Sequence, residues 1–171
     1  MKKFVLPLLF GAVMVVVGHI AALYSAPNVI MTGAMTMLSE RGVPLHAFSF
    51  APRPTPQTQS VVRPSPDLAY SACLYDLDAA PRGLRVTMAA SEGYSSLSFF
   101  DASTNNFVTI RGEGKEASVR LLPQSASAEA GDDIVLSPSA KGIILIRRLT
   151  PTQADYDAVA AIAADDQCGV I

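Results

Sequence analysis

Apolar and polar residues are arranged in three different patterns along this chain. Residues 4–23 are apolar apart from Pro7 and His19, and about 20 apolar residues are enough for a helix to cross a bilayer. Between residues 71 and 146, short segments alternate apolar and polar side chains at every second position, which is the period of a β-strand. Residues 150–164 return to the helical period. The pattern predicts an N-terminal helix, a β domain and a C-terminal helix that packs on it.

The β pattern divides into short, evenly spaced strands. In the first, which is expected to begin at Ser71, the side chains of Cys73, Tyr75 and Leu77 form the more apolar face. Just before this strand, Ser65 is expected to cap one turn of helix. Strand-like segments follow at residues 84–88, 97–99, 107–110, 119–122, 134–136 and 143–146. About seven or eight strands over roughly 90 residues predict a mainly β fold, an antiparallel β-sandwich or jelly roll.

Turn and proline signals divide the chain into three parts. Residues 1–26 form the predicted transmembrane anchor, residues 27–60 a juxtamembrane helix and a proline-rich spacer, and residues 61–171 the β-sandwich with its C-terminal helix. The C-terminal helix is expected to have Thr150 as its cap and to leave residues 165–169 as a tail.

The juxtamembrane helix is expected over residues 28–41 and has an apolar face. Such a face either binds a partner helix, or lies at the membrane surface or on its own domain. It is predicted to contain Ile30, Ala34, Met37 and Leu38, with Met31 and Met35 beside them.

Charged residues are distributed very unevenly. Residues 4–39 contain no Asp, Glu, Lys or Arg, and the exposed part has a net charge of −4, from 11 basic and 15 acidic residues. Nucleic-acid binding is therefore not expected, because it requires a basic surface. Lys2 and Lys3 precede the apolar run, so the positive-inside rule predicts a cytoplasmic N-terminus and a β domain on the other side. A cleaved signal peptide is the alternative, although its apolar core is usually only about 7–15 residues long.

The chain has two cysteines, Cys73 and Cys168. An even number of cysteines in a domain on the oxidising side of a membrane favours a disulfide. We expect this bond to pin the C-terminal tail to the first strand of the domain. The alternative is a buried free thiol at Cys73 and an unrelated thiol in a frayed tail.

Residues that carry common chemistry are scarce in the β domain. His19 lies in the apolar run and His46 in the spacer, and neither has a second metal ligand at a useful spacing. A serine–histidine triad would need a histidine that the domain lacks, and nothing in the sequence indicates a cofactor. What remains is a polar set that either lines a ligand pocket at one end of the sandwich or forms a hydrogen-bond network that fixes loops. It consists of Arg63, Asp67, Tyr70, Ser71, Tyr94, Asp101, Asn105 and Asn106.

Four sequence segments carry a family resemblance. They are SPDLAYS at residues 65–71, YDLDAAPRGLRVT at 75–87, GYSSLSFFDASTNNF at 93–107 and GIILIRRL at 142–149. Through these segments, in this order, the chain resembles the bacterial family known as domain of unknown function 1254. Larger members often have Asn in place of Ser65 and an Arg-Tyr pair in place of Gly93-Tyr94, so this chain departs from the family at those positions.

The resemblance implies a β-rich sandwich fold and no settled activity. Larger members fuse this domain to a second one, domain of unknown function 1214. The chain looks like a short, membrane-anchored type, and together with the apolar run and its lysines this predicts a single-pass protein of the bacterial inner membrane with a periplasmic domain. Such a non-catalytic envelope module is expected to pair with a second small membrane protein that carries the complementary domain. A small-molecule-binding module and an enzyme are the alternatives.

Overall fold

The computed structural model describes residues 4–55, 64–128 and 133–171. Within these residues the regular elements follow one another in the predicted order, from an apolar helix through strands to a short helix. They are α1 (Val5–Glu40), β1 (Ser49–Phe50), β2 (Leu68–Asp76), β3 (Leu84–Met88), β4 (Ser95–Phe100), β5 (Asn106–Arg111), β6 (Ala117–Pro123), β7 (Ile134–Ser137), β8 (Lys141–Leu149), α2 (Gln153–Ile162) and β9 (Gln167–Val170). A single turn of 3-10 helix, Ala163–Asp165, joins α2 to β9.

The strands form two sheets with the core between them. Sheet A has the order β1-β2-β8-β4-β5, and sheet B has the order β7-β6-β3-β9. Neighbouring strands among the described residues are antiparallel except β6 and β7, which run parallel. The predicted mainly β fold with its two flanking helices is confirmed, but sheet B is mixed rather than purely antiparallel. Parallel strands cannot be joined by a tight hairpin, so β6 and β7 are not the hairpin pair that an antiparallel sheet would have.

Alternation along the strands builds the core. Every second side chain of β2, β3, β4, β6 and β8 points between the sheets and is buried. The fully buried members include Cys73, Tyr75, Leu84, Val86, Met88, Leu97, Phe99, Leu121, Ile144 and Ile146. Gly142, at the start of β8, is also an inward position. A side chain does not fit there, because a Cβ would collide with the Phe100 carbonyl and the Tyr75 ring.

The structure contains the predicted disulfide between Cys73 and Cys168. Their Cα atoms are 6.7 Å apart, and both residues are buried. The bond does not tie down a tail, because the segment expected to be a tail forms β9 and pairs with β3, with Cys168 opposite Val86. The disulfide therefore joins β2 of sheet A to β9 of sheet B through the core.

The N-terminal helix is longer than the sequence predicts. The anchor and the juxtamembrane helix were expected as two pieces, but α1 is continuous from Val5 to Glu40 with Pro27 inside it. A proline inside a helix removes one N–H donor, here the donor of the bond to the carbonyl of Leu23, and α1 nevertheless continues through it. An 18-residue apolar window of α1 has no buried residues. In length and composition the helix is thus consistent with a membrane anchor or a signal sequence.

The C-terminal half of α1 packs on its own domain. It contacts β8, and Asn28 Oδ1 accepts a hydrogen bond of 3.1 Å from Ser103 Oγ in the β4–β5 loop. The face turned to the domain is the predicted one except at Ile30, which is 63% exposed, whereas its neighbour Met31 is 5% exposed. The positions that lose exposure are Pro27, Met31, Ala34, Met35, Met37 and Leu38.

Three further local expectations differ from the structure. Residues 66–67 form a turn rather than a helix capped by Ser65, and β2 already begins at Leu68 because it pairs along its whole length with β8. The described part of the proline-rich spacer lies on the domain, since Ser49 and Phe50 pair with β2 as β1. The cap of α2 is Thr152 rather than Thr150, with a capping box between Thr152 and Asp155.

Candidate functional site

The polar residues predicted to line one pocket are spread over the sandwich. Arg63 lies outside the described residues. Asp67 and Tyr94 lie at one end of sheet A, where their carbonyls accept hydrogen bonds from the N–H groups of Thr150 (2.7 Å) and Leu149 (3.0 Å). Asp101 lies at the other end of β4, about 20 Å from Tyr94 for a strand of this length. Ligand binding by the set stays a prediction, and the residues do not meet in a single pocket.

Asp101 organises the β4–β5 loop. Its Oδ1 accepts hydrogen bonds from the N–H groups of Ser103 (2.8 Å) and Asn105 (2.9 Å), and its Oδ2 accepts one from the Asn105 side-chain amide (2.9 Å). These bonds hold the turn around Thr104, whose φ is +66°. The Asn106 amide lies 2.9 Å from the Thr109 hydroxyl. This part of the predicted set therefore fixes a loop, as in the network interpretation.

The two tyrosines of the set are also engaged locally. The Tyr70 hydroxyl accepts a 2.9 Å hydrogen bond from the N–H of Ser65, which closes the turn before β2. The Tyr94 hydroxyl lies 3.2 Å from Ser96 Oγ, and Tyr94 itself is 44% exposed. Neither hydroxyl faces another member of the predicted set.

Ser71 is the member that leads to a buried site, because its Oγ lies 3.3 Å from Asp166 Oδ2. Asp166 pairs with Arg148 through two hydrogen bonds, of 2.6 Å from Nη2 and 2.8 Å from Nη1. The side chains of Arg148 and Asp166 are 2% and 0% exposed. A bidentate guanidinium–carboxylate pair of this kind combines charge with fixed geometry.

Four segments of the chain meet at this ion pair, and β2 contributes Ser71. Arg148 comes from β8, Asp166 from the turn before β9, and Ala89 from the end of β3. The Ala89 carbonyl accepts a 3.1 Å hydrogen bond from Arg148, and its N–H donates a 3.0 Å bond to Asp166. We call Ser71, Ala89, Arg148 and Asp166 the Arg148 cluster. It closes one end of the sandwich where the apolar core stops.

Sequence reasoning missed Arg148 and Asp166, although one signal for Arg148 was present. Along β8 the inward positions are Ile144 and Ile146, and Arg148 continues the same parity. A charged residue on the core face of a strand requires a buried counter-charge. Asp166 had no such signal, because its segment was expected to be a tail.

Buried polar groups without a protein partner surround the cluster. In the described part of the structure, Arg148 Nε and the hydroxyls of Ser91, Ser95 and Thr150 are buried and make no hydrogen bond to protein. Ser95 is the direct cross-strand neighbour of Arg148, and Thr150 lies just beyond the end of β8, two positions after Arg148. Polar groups of this kind are where ordered water binds inside proteins.

The chemistry available to the Arg148 cluster is structural. Both oxygens of Asp166 already accept hydrogen bonds from Arg148, so the carboxylate does not present a free base. No histidine or free cysteine stands among the cluster residues, and the described chain has no group of three or more His, Cys, Asp or Glu residues placed to hold a metal ion. The cluster thus holds β8, the end of β3 and the start of β9 together.

A second polar group lies at the opposite end of the core. The Tyr75 hydroxyl lies 2.9 Å from Ser137 Oγ and 3.2 Å from the Phe100 carbonyl, and burial raises the pKa of Tyr75. Nearby, burial raises the pKa of Asp76, but the hydrogen bond and charge of Lys141 outweigh it and the pKa is lowered overall. Both groups tie the β7–β8 connection to sheet A.

Two surface grooves lie on the side of sheet B and contain none of the predicted ligand residues. A groove of about 690 Å³ is lined on the outer face of the sheet by Arg85, Thr87, Glu116, Ser118, Asp165 and Gln167, among others. A neighbouring groove of about 460 Å³ shares Arg85 and Gln167 and extends to Phe48 and Val170. The larger groove is lined mostly by charged and hydroxyl-bearing side chains, whereas the smaller one includes more apolar residues.

Comparison with known proteins gives a family and a fold. Residues 46–169 match the family described as protein of unknown function (DUF1254), and the chain belongs to that family. The crystal structure of the VPA0106 protein from Vibrio parahaemolyticus is similar with a TM-score of 0.61 and 13% sequence identity, over 82% of this chain and 34% of that one. The crystal structure of an uncharacterised protein from Burkholderia cenocepacia is similar with a TM-score of 0.45 and 17% identity, over 78% of this chain and 38% of that one. No curated protein matches the chain.

Proposed function

We propose that this protein is a non-catalytic, membrane-anchored module of the bacterial cell envelope. Its α1 helix anchors it in the inner membrane with the N-terminus in the cytoplasm. Its β domain lies in the periplasm, where it pairs with a complementary domain on a second small membrane protein. The observation that carries the proposal is the exposed apolar helix that continues without a break into a disulfide-bonded β domain.

The position of the domain is supported by three independent features. The apolar part of α1 has no buried residues, so bilayer rather than protein is the environment that suits it. The Cys73–Cys168 disulfide favours an oxidising compartment, which in bacteria is the periplasm. Lys2 and Lys3 at the start of the chain favour retention of the N-terminus in the cytoplasm.

The proposal of a pairing partner is supported by the greater length of a protein with a similar fold. The chain spans about a third of the length of the VPA0106 protein that it matches, and larger members of the family combine this domain with a second one. The surface available for such a partner is the outer face of sheet B, because α1 already lies on sheet A. That face contains the larger polar groove.

A small-molecule-binding module is the second candidate, and the same groove favours it. A groove of about 690 Å³ is within the usual size of ligand sites, roughly 300–1,000 Å³, although such sites are mostly apolar. The polar lining, which includes Arg85, Gln167, Asp165 and Glu116, would suit a ligand with hydroxyl or zwitterionic groups.

The orientation is testable with reporters fused after Ile171. We expect alkaline phosphatase to be active at this position, because it needs the oxidising periplasm, and a cytoplasmic fluorescent reporter to be dark. The same two reporters on a variant with three added lysines after residue 25 serve as a control, since a changed charge balance should reduce export. An active cytoplasmic reporter on the native chain would contradict the orientation.

Partner binding is testable by purification from native membranes in mild detergent. We expect a second small membrane protein to co-purify in a fixed ratio. Replacement of Arg85, which lines both grooves, by Glu should reduce its recovery at least several-fold, because the change inverts a charge on the outer face of sheet B. Arg82→Glu is the matched control, since Arg82 is also exposed but lies in the turn before β3. Repeated isolation of a monomer alone would count against the partner and leave the ligand candidate.

A further inference from the structure

We propose that the free edge of sheet A, formed by β5 (Asn106–Arg111) and the β4–β5 loop, rests on the phospholipid headgroups of the bilayer that holds α1. This inference rests on the membrane anchoring in the proposed function and adds an orientation to it. The interacting partner is the lipid surface itself.

The first step is the depth of the β4–β5 loop. The uninterrupted apolar segment of α1 ends near Tyr24, and Asn28 follows four residues later, about 6 Å along the helix axis. The Asn28 side-chain oxygen accepts a 3.1 Å hydrogen bond from the hydroxyl of Ser103 in the loop. Because the headgroup layer adds roughly 5–7 Å on each side of the hydrocarbon, the loop lies at the level of the headgroups or directly above them.

The second step is the direction in which α1 crosses the sheet. It meets the domain first at the β4–β5 loop, contacts β8 along its course, and is followed by Leu45, which bridges Leu74 of β2. From β5 to β2 there are three strand spacings, about 14 Å, and from Asn28 to Glu40 there are about 18 Å of helix. The two lengths agree, so α1 runs across the strands rather than along them.

The crossing sets the order of the strands above the membrane. Sheet A runs from β5 through β4, β8 and β2 to β1, so β5 is the strand nearest the bilayer and β1 the farthest. In the described residues β5 has a neighbouring strand on one side only, and an uncovered edge of this length invites pairing with other chains. Contact with the headgroups would cover it.

The side chains of β5 suit a phospholipid surface. Its exposed positions are Asn106, Thr109 and Arg111, and the strand contains no acidic residue. Arg111 can bind lipid phosphates, whereas Asn106 and Thr109 offer hydrogen-bonding groups without charge. Phe107 packs against Phe99 of the core, with ring centroids 6.2 Å apart, so the apolar side of the strand stays within the domain.

The test is fluorescence quenching on the full chain, reconstituted in phosphatidylcholine and phosphatidylglycerol vesicles without any other protein. A thiol-reactive fluorophore is attached at Thr109→Cys on β5 or, as the matched control on the far edge of the sheet, at Ala47→Cys just before β1. A nitroxide on the lipid headgroups is the quencher. We expect quenching at position 109 to be at least threefold stronger than at position 47.

The possible outcomes separate this inference from the anchor. Equal quenching at the two positions, or stronger quenching at 47, in protein that alkaline washing leaves in the vesicles overturns the edge contact alone. Release of the protein by alkaline washing overturns the anchor and the edge contact together. If the Thr109 variant fails to fold, the label is placed at Arg111→Cys, for which the same threefold ratio is expected.

Discussion

Replacement of Asp166 by asparagine is expected to lower the free energy of unfolding by about 3–5 kcal/mol. The change leaves the guanidinium of Arg148 charged, 2% exposed and without its counter-ion. It also weakens the hydrogen bonds that hold Ala89 and Ser71 to the same carboxylate. Urea unfolding of the full chain in mild detergent, followed by near-ultraviolet circular dichroism of the tyrosines, measures the loss.

The chain offers a matched control for this prediction in the exposed ion pair between Arg120 and Asp133. Their side chains are 42% and 70% exposed, so Asp133→Asn should cost only about 0–1 kcal/mol. A double replacement, Arg148→Met with Asp166→Leu, should be less harmful than Asp166→Asn because it leaves no unpaired buried charge. An Asp166→Asn variant as stable as the Asp133→Asn variant would contradict the role given to the Arg148 cluster.

Loss of the disulfide is expected to have a comparable effect. The Cys73–Cys168 bond links residues 95 positions apart, and closing a loop of that length is worth about 4–5 kcal/mol in the chain-entropy model. A domain of this size has a total stability of roughly 5–15 kcal/mol. We therefore expect the variant with both cysteines replaced by alanine to unfold at a much lower urea concentration, with β9 the first element to detach.

The disulfide itself is checked by thiol titration of denatured, unreduced protein from the native host. No titratable thiol is expected in the native chain and one in each single alanine variant. The control for stability is the reduced native chain, which should match the double alanine variant because both lack the cross-link. Two titratable thiols in the unreduced native protein, or equal stability before and after reduction, would contradict the prediction.

The strands and the disulfide were predictable because their signals are local. Alternation at every second residue marks Leu84–Met88 as a strand whatever it pairs with, and the structure has β3 at those residues. The cysteines needed only their number and the expected compartment. The apolar helix was predictable in the same way, since uncharged residues at its start already meet the length of a bilayer.

The errors lie where a partner distant in sequence decides the local structure. Residues 165–169 have no strand signal of their own, and β9 forms because it pairs with β3 and is joined to β2 by the disulfide. Ser65 is a good helix cap, but pairing of Leu68 with Leu149 extends β2 and leaves room only for a turn. The prediction of two separate helices, divided after residue 26, is wrong because α1 continues from Val5 to Glu40 and packs on the domain.

The predicted ligand set illustrates the same limit for function. Its members were chosen by residue type. They lie in different segments, and the sequence does not determine how far apart these segments are in the folded protein. The register of sheet A places Tyr94 and Asp101 at opposite ends of β4, and the loop uses Asp101 for its own turn. Only Ser71 leads to the buried ion pair, whose two members had not been selected.

By itself, the sequence determined the elements of this protein: an apolar helix, a series of alternating strands, a short C-terminal helix and two cysteines suited to a disulfide. These follow from periodicity and composition, which act over a few neighbouring residues. Only the tertiary structure decided that Arg148 meets Asp166 inside the sandwich and that α1 contacts β8 of sheet A, with Asn28 against the β4–β5 loop. Both depend on the sheet register and on which faces cover each other, and these are set by the summed burial and hydrogen bonding of distant segments.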